Sequence, residues 1–320
     1  MAPIRSRICS LTLACLIAGV AFPAPRALAT ERGERVVHRE TSAFQTLVVT
    51  DSPTRRCLRF GDAPDALNQS CRLHRAPLHL AFDYTRAMTA ALLLWQPAPQ
   101  RVLLIGVGGG SIPTALAAVR PAMTIDAVDI DPAVLAVAQR HFGLAPGPRL
   151  RLHAADGRAF IAAARARAER FDAVLLDAFD EEGIPPALFD EPFLRDVAAV
   201  LAPGGVFLAN TFAASDGYPR ESARAEAVFG RFLNVRLRAE GLGGNRLLVA
   251  TREAAALPSP EQLMARWPAQ RAAFARIGIE DGFRGRMRFA GRDWVAPAAP
   301  SDDQPDQRRS EAGGQQPRQH

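Results

Sequence analysis

The run Arg101-Val102-Leu103-Leu104-Ile105 passes directly into Gly106-Val107-Gly108-Gly109-Gly110, and an apolar helical pattern, Ser111 to Val119, follows at once. A short continuous apolar run of this kind is a buried strand. A glycine loop between a strand and a helix lets backbone approach a ligand closely and aims the helix's unpaired N–H groups at it. Pro113 does not oppose the helix, because it falls in the first turn, where no N–H partner is lost. The same alternation continues through strand Thr124–Asp129 and helix Pro132–His141, then strand Leu150–Ala154 and helix Arg158–Ala168. Strand Phe171–Asp177, helix Pro192–Leu201 and strand Val206–Asn210 complete it. Strands alternating with helices predict a parallel, doubly wound sheet. Val235–Glu240 and Arg246–Thr251 read as a closing antiparallel pair, and Pro260–Ile277 as a last helix.

Ahead of this core, Glu40 to Leu73 is short-stranded: Thr46–Thr50, Cys57–Phe60 and Gln69–Leu73, with a loop rich in Gly, Asp, Pro and Asn between Gly61 and Asn68. It reads as a small β-hairpin domain, linked to the core by a helix over Pro77–Trp95. At the N-terminus Arg5 and Arg7 precede an uncharged run from Ile8 to Phe22 and a small-residue site, Ala27-Leu28-Ala29. That is the pattern of a signal peptide, and the run is too short for a comfortable membrane span. An uncleaved anchor or a misplaced start remains the alternative. From Pro297 onward, Pro, Asp, Gln, Arg and Gly dominate, and such a tail has no apolar surface to bury. The expected organisation is a signal peptide over 1–29, a hairpin domain over 30–75, a linking helix over 76–98, a catalytic domain over 99–296 and a disordered tail over 297–320.

The formal charge of +6 comes from arginine alone, since the chain has no lysine. Schiff-base chemistry on lysine and phosphate binding by a P-loop lysine are therefore excluded. The arginines are scattered and are not interleaved with aromatics, so nucleic acid is not an expected partner.

Asp129 ends the second core strand, about twenty residues beyond the glycine loop, where an acid can accept both hydroxyls of a ribose. Asp156, followed by Gly157, ends the third, where it could meet an adenine amine. A dinucleotide fingerprint would need glycine at position 111, and Ser111 stands there. A single nucleoside with a short charged arm, an adenosyl-sulfonium compound, fits better.

These motifs together resemble the spermidine synthase (polyamine aminopropyltransferase) family, in its spermidine synthase-like bacterial branch. They are Leu104-Ile105-Gly106-Val107-Gly108-Gly109-Gly110, Val128-Asp129-Ile130-Asp131-Pro132, Ala155-Asp156-Gly157-Arg158 and Leu176-Asp177-Ala178-Phe179-Asp180. Gly183-Ile184-Pro185-Pro186-Ala187-Leu188-Phe189 and Leu201-Ala202-Pro203-Gly204-Gly205 continue the match. Thr41-Ser42-Ala43-Phe44-Gln45, Asn68-Gln69-Ser70 and Tyr84 match the family's hairpin and linker. The resemblance implies a Rossmann-like, mainly parallel sheet of the S-adenosylmethionine-dependent methyltransferase type. It also implies aminopropyl transfer from decarboxylated S-adenosylmethionine to a small cationic amine, with the donor as co-substrate and no metal. Gly106, Gly108, Gly110, Asp129, Asp156 and Gly157 would then bind the adenosyl part. Gln45, Gln69, Tyr84 and Asp180 would bind the amine, aided by the field of Glu181 and Glu182, and Asp177 would take its proton. A homodimer is left open.

Three positions depart from the pattern. Gly109 stands where the family carries a loop aspartate, Thr85 replaces a histidine, and Asn210 occupies a position where glutamine is common. Losing the loop acid would make room for a carboxylate-bearing donor. A methyltransferase using S-adenosylmethionine, or an exported adenosyl-binding domain without catalysis, are thus the alternatives. The expected compartment is the exported or periplasmic one, with the cytoplasm as alternative. Cleavage after Ala29 would leave two cysteines, Cys57 and Cys71, opposed across a hairpin centred near Pro64, and a disulfide is expected between them.

Overall fold

A computed structural model describes residues 33–63, 66–179, 184–212, 217–237 and 245–290. The signal-peptide and tail assignments, the hairpin tip at Pro64 and the residues Asp180, Glu181 and Glu182 lie outside the described residues.

The N-terminal unit is a four-stranded antiparallel meander: β1 (Arg35–Thr41), β2 (Thr46–Asp51), β3 (Arg55–Phe60) and β4 (Asn68–Leu73), paired in that order. It is larger than the hairpin expected from sequence. The strand that sequence reading missed, β1, is mostly exposed and carries four charged or histidine side chains, so it has no apolar alternation to betray it. Backbone pairing to β2 holds it in place. Leu47, Val49 and Leu58 of this unit form one apolar cluster with Val134, Val137 and Phe142 of the core, which docks the meander on the core's second helix after the glycine loop.

The linking helix α1 (Asp83–Trp95) starts six residues later than the apolar spacing suggested. The stretch before it is tied down otherwise, with Leu80 bridging to Arg72 and the Arg86 guanidinium donating to the Leu80 carbonyl at 2.7 Å. From Ala87 to Trp95 the helix is buried on all sides, the pattern of a helix inside a layered domain.

The core then alternates as the sequence predicts: β5 (Arg101–Ile105), α2 (Ser111–Val119), β6 (Thr124–Asp129), α3 (Pro132–Phe142), β7 (Leu150–Ala154), α4 (Gly157–Ala166), β8 (Phe171–Leu176), α5 (Glu191–Val200) and β9 (Leu201–Phe212). It closes with α6 (Tyr218–Phe229), β10 (Phe232–Leu237), β11 (Asn245–Ala250), α7 (Pro260–Ala265), α8 (Trp267–Arg276), α9 (Asp281–Arg284) and β12 (Met287–Ala290). One sheet runs β12-β10-β11-β9-β8-β5-β6-β7. Strands β5 to β9 are parallel, and β11, β10 and β12 add antiparallel pairs on one side. Helices cover both faces, and each face has its own apolar cluster.

Three differences from the sequence reading have local causes. The single helix expected over Pro260–Ile277 is two, α7 and α8, because Pro268 has no N–H to give the preceding turn. Helix α6 was not foreseen, since its buried residues are Ala225 and Phe229, too sparse a stripe to read. Strand β12 is only four residues long and borrows its register from β10.

Candidate active site

In an open α/β sheet, ligands sit outside the carboxyl ends of the strands where the winding reverses. Here the reversal lies between β5 and β8, whose neighbours are β6 on one side and β9 on the other. A cleft of about 210 Å³ opens there, lined by the ends of β5, β6, β7 and β8 and roofed by the N-terminal meander.

The floor is built from backbone. Gly106 N–H donates to the Val128 carbonyl at 2.9 Å, and Asp177 N–H donates to the Ile105 carbonyl at 2.8 Å. This packs the loop so tightly that a Cβ on Gly106 would lie 2.1 Å from the Asp177 carbonyl oxygen. Gly106 also sits at φ +88°, so glycine is required there on both counts. Asp129 braces the loop from β6: its Oδ2 accepts the Val107 N–H at 2.9 Å and its Oδ1 the Asp131 N–H at 3.1 Å. Burial pushes its carboxyl above the ordinary range, against the pull of these backbone donors. Asp156 N-caps α4, its Oδ1 accepting the Ala159 N–H at 2.8 Å, which leaves the other oxygen for a ligand.

The corner around Asp177 is built from side chains. Asp177, just past the end of β8, accepts a hydrogen bond from the Asn210 amide at 2.9 Å and one from the Tyr84 hydroxyl. Burial raises its carboxyl to about 6, with the Asn210 and Tyr84 hydrogen bonds pulling the other way. A carboxylate raised that far is still ionised at neutral pH and is a stronger base than an exposed one. Tyr84 is pushed well above its ordinary value by burial and by the charge of Asp177, so it stays a phenol and a donor.

The roof comes from Gln45 in the β1–β2 turn and from Phe60, Gln69 and Ser70 on β3 and β4. Ser42 shapes that turn: its Oγ accepts the backbone N–H groups of Phe44 and Gln45 and donates to Asp131 Oδ2 at 2.6 Å. Asp131 in turn caps α3 through Ala133. A carboxylate next to Asp129 thereby ties roof to floor, beside the apolar cluster that docks the meander.

Gln45, Gln69, Tyr84, Gly106, Gly108, Asp129, Asp156, Gly157 and Asp177 all line this one cleft. Gly110 does not. It is the N-cap residue of α2 and faces away, with the Leu144 side chain 2.9 Å from where its Cβ would be. Gly109 also turns from the cleft: a Cβ there would lie 2.8 Å from Ser70 Cβ and 3.2 Å from the Phe142 ring. Thr85 is buried with its hydroxyl on the Phe82 carbonyl, outside the cleft. Sequence reading missed the roles of Ser42, Asp131 and Asn210, and it missed the apolar wall of Phe179, Pro185, Ala187 and Leu188. For that wall the signal existed, in the Pro-Pro segment that follows β8. Among the described residues, no group of three or more His, Cys, Asp or Glu is placed to hold a metal.

On β3 and β4, Cys57 and Cys71 are directly opposed in register, with Cα atoms 4.1 Å apart and the sulfurs bonded. Cys71 is the neighbour of the roof residue Ser70.

The spermine/spermidine synthase domain model matches residues 81–216. A polyamine aminopropyltransferase of Vibrio vulnificus is 35% identical over 271 residues, covering 84% of this chain and 89% of the relative. The chain belongs to the spermine/spermidine synthase family. Its fold agrees with that of a probable spermidine synthase from Corynebacterium glutamicum, at a TM-score of 0.65 and 18% identity over 81% of this chain and 92% of the other. This spermidine synthase family member also resembles human methyltransferase-like protein 13 in complex with SAH, at 30% identity and a TM-score of 0.56, over 61% of this chain and 93% of that one.

Proposed function

We propose that the chain is an aminopropyltransferase that moves the three-carbon amine arm of decarboxylated S-adenosylmethionine to a small cationic amine. The observation that carries this reading is the Tyr84–Asp177–Asn210 arrangement, a half-buried, desolvated carboxylate with a raised pKa that lines an adenosyl-sized cleft. Asp129 and Asp156 would take the ribose and the adenine amine, with the glycine loop beneath. The acceptor's neutral nitrogen attacks the methylene beside the sulfonium. The new C–N bond forms as the C–S bond breaks, the sulfur keeps the electron pair, and methylthioadenosine leaves. The proton freed from the nitrogen passes to Asp177. Tyr84 and Asn210 hold that carboxylate toward the acceptor, and Gln45 and Gln69 line the acceptor's approach from the roof. Asp180 would hold the acceptor's distal ammonium.

One observation favours a second reading. No acid reaches the donor's arm from the glycine loop, because position 109 is glycine and its Cβ direction is filled by Ser70. The human methyltransferase-like protein 13 that the chain resembles is in complex with SAH. S-adenosylmethionine with methyl transfer is therefore the competing donor chemistry. Purified protein offered each donor with a diamine separates the two: methylthioadenosine is the product of the first reading, and adenosylhomocysteine that of the second. Neither product from either donor would leave an adenosyl-binding protein without catalysis.

We also propose that the protein is exported, with the signal peptide removed after Ala29. The pairing of Cys57 with Cys71 supports this, since such bonds persist in oxidising compartments.

A further inference from the structure

Asp177 is held by a chain of side chains that extends one residue beyond its direct partners. Asn210, buried on β9, donates its amide N–H to Asp177 Oδ1 at 2.9 Å. Its amide oxygen accepts from Asn245 Nδ2, at the start of β11, at 3.0 Å. The two strands are antiparallel neighbours, and their register brings the two side chains within reach. The polarity of the chain is forced from one end. An ionised carboxylate only accepts, so Asn210 must present its NH₂ to Asp177 and its oxygen away from it. The buried oxygen then needs a donor, which Asn245 supplies.

We propose that Asn245 is a positioning residue for the reaction: it locks the Asn210 amide in the one orientation that donates to the proton-accepting carboxylate. The proposal rests on the reading of Asp177 as that acceptor. Without Asn245, the amide of Asn210 is free to turn over and present its oxygen to Asp177. Two acceptors would then face each other in a buried place, which disfavours the charged form of the carboxyl. Few other groups could set that balance. Among the described residues, α1 faces Asp177 with Tyr84, β9 with the neutral Asn210, and β5 and the glycine loop with backbone. Asn245 does not line the cleft, so its effect must pass through Asn210.

The test is a double-mutant cycle read on Asp177 itself. Carbon-13 NMR of aspartate-carboxyl-labelled full-length protein, with the signal assigned by Asp177→Asn, follows its titration without needing turnover. Asn245→Leu keeps the volume and removes the donor, and should move the titration upward from its wild-type midpoint by about half to one pH unit. Asn210→Leu should shift it at least as far. In the Asn210→Leu background, Asn245→Leu should add nothing, because the relay is already cut. Asn245→Ser, whose hydroxyl is too short to reach Asn210, gives the same upward shift and serves if the leucine variant does not fold. In the wild-type background the acid limb of kcat should move with the titration while KM for the donor stays put. A titration unmoved by either Asn245 variant, or a shift that persists in full without Asn210, overturns the proposal. Wild-type protein that makes no methylthioadenosine, yet shows the titration shifts, overturns the transferase reading and leaves the relay standing.

Discussion

The two halves of the cleft are made of different material. The half around the glycine loop is local: a glycine loop, two strand-end acids and a helix cap, all between Gly106 and Gly157, with Asp129 and Asp156 spending hydrogen bonds on nearby backbone. The half around Asp177 is assembled from afar. Tyr84, Asp177, Asn210 and Asn245 come from α1, the end of β8, β9 and β11 and meet only when the sheet closes. The first half depends on backbone that the fold itself places. In the second, side chains tune one another, so it is open to retuning by single substitutions.

The contrast breaks if one change disturbs both halves alike. The largest effect is expected from Asp177→Asn, which preserves shape but cannot take a proton. Turnover should fall about 10²–10⁴-fold. Calorimetry should show methylthioadenosine binding unchanged, and a parallel loss of binding would mean the halves are not separable.

Next is the roof. Cys57 and Cys71 are 14 residues apart in sequence, and the chain-entropy value for a loop of that size is about 3 kcal/mol. Denaturant unfolding of a Cys57→Ser/Cys71→Ser variant should show a loss of that order. Native mass spectrometry should find an N-terminus at Thr30 and no free thiol. An intact Met1 with both thiols alkylated would contradict export and pairing together.

Asp129→Ala should cost about 1.5–3 kcal/mol of methylthioadenosine affinity for each charge-assisted bond lost, measured by calorimetry. Turnover at saturating donor should change far less than in Asp177→Asn. Unchanged affinity would take Asp129 off the ribose.

This difference also explains what could be read in advance. Strand, loop and helix around Gly106–Gly110 repeat a local pattern, so β5 through β8 were legible almost to the residue, and so were the strand-end acids. The break at Arg266 is legible too, in Pro268, which has no N–H for the preceding turn. Gly110 belongs to the same loop as the cleft-lining glycines, yet its φ of +75° serves the start of α2. Tyr84 was visible only through family resemblance. Asn210 stands out in sequence only as a departure from a common glutamine, and its partner in the fold is Asp177. Asn245 gave no signal at all, since its role exists only through a strand pairing that spans 35 residues. The exposed β1 is the same lesson in the roof: pairing, not pattern, makes it a strand.

The central claim is that a desolvated, tuned carboxylate accepts the proton, and the pH dependence of kcat/KM, which reports the free enzyme, tests it most directly. Protonated Asp177 cannot act as base, so the rate should be full above its pKa and fall as pH drops through about 6. Asp177→Asn should abolish that acid limb, leaving a low rate without an inflection there. An acid limb near the ordinary carboxylate value of 3.8, or one near 6 that survives in Asp177→Asn, would contradict the account.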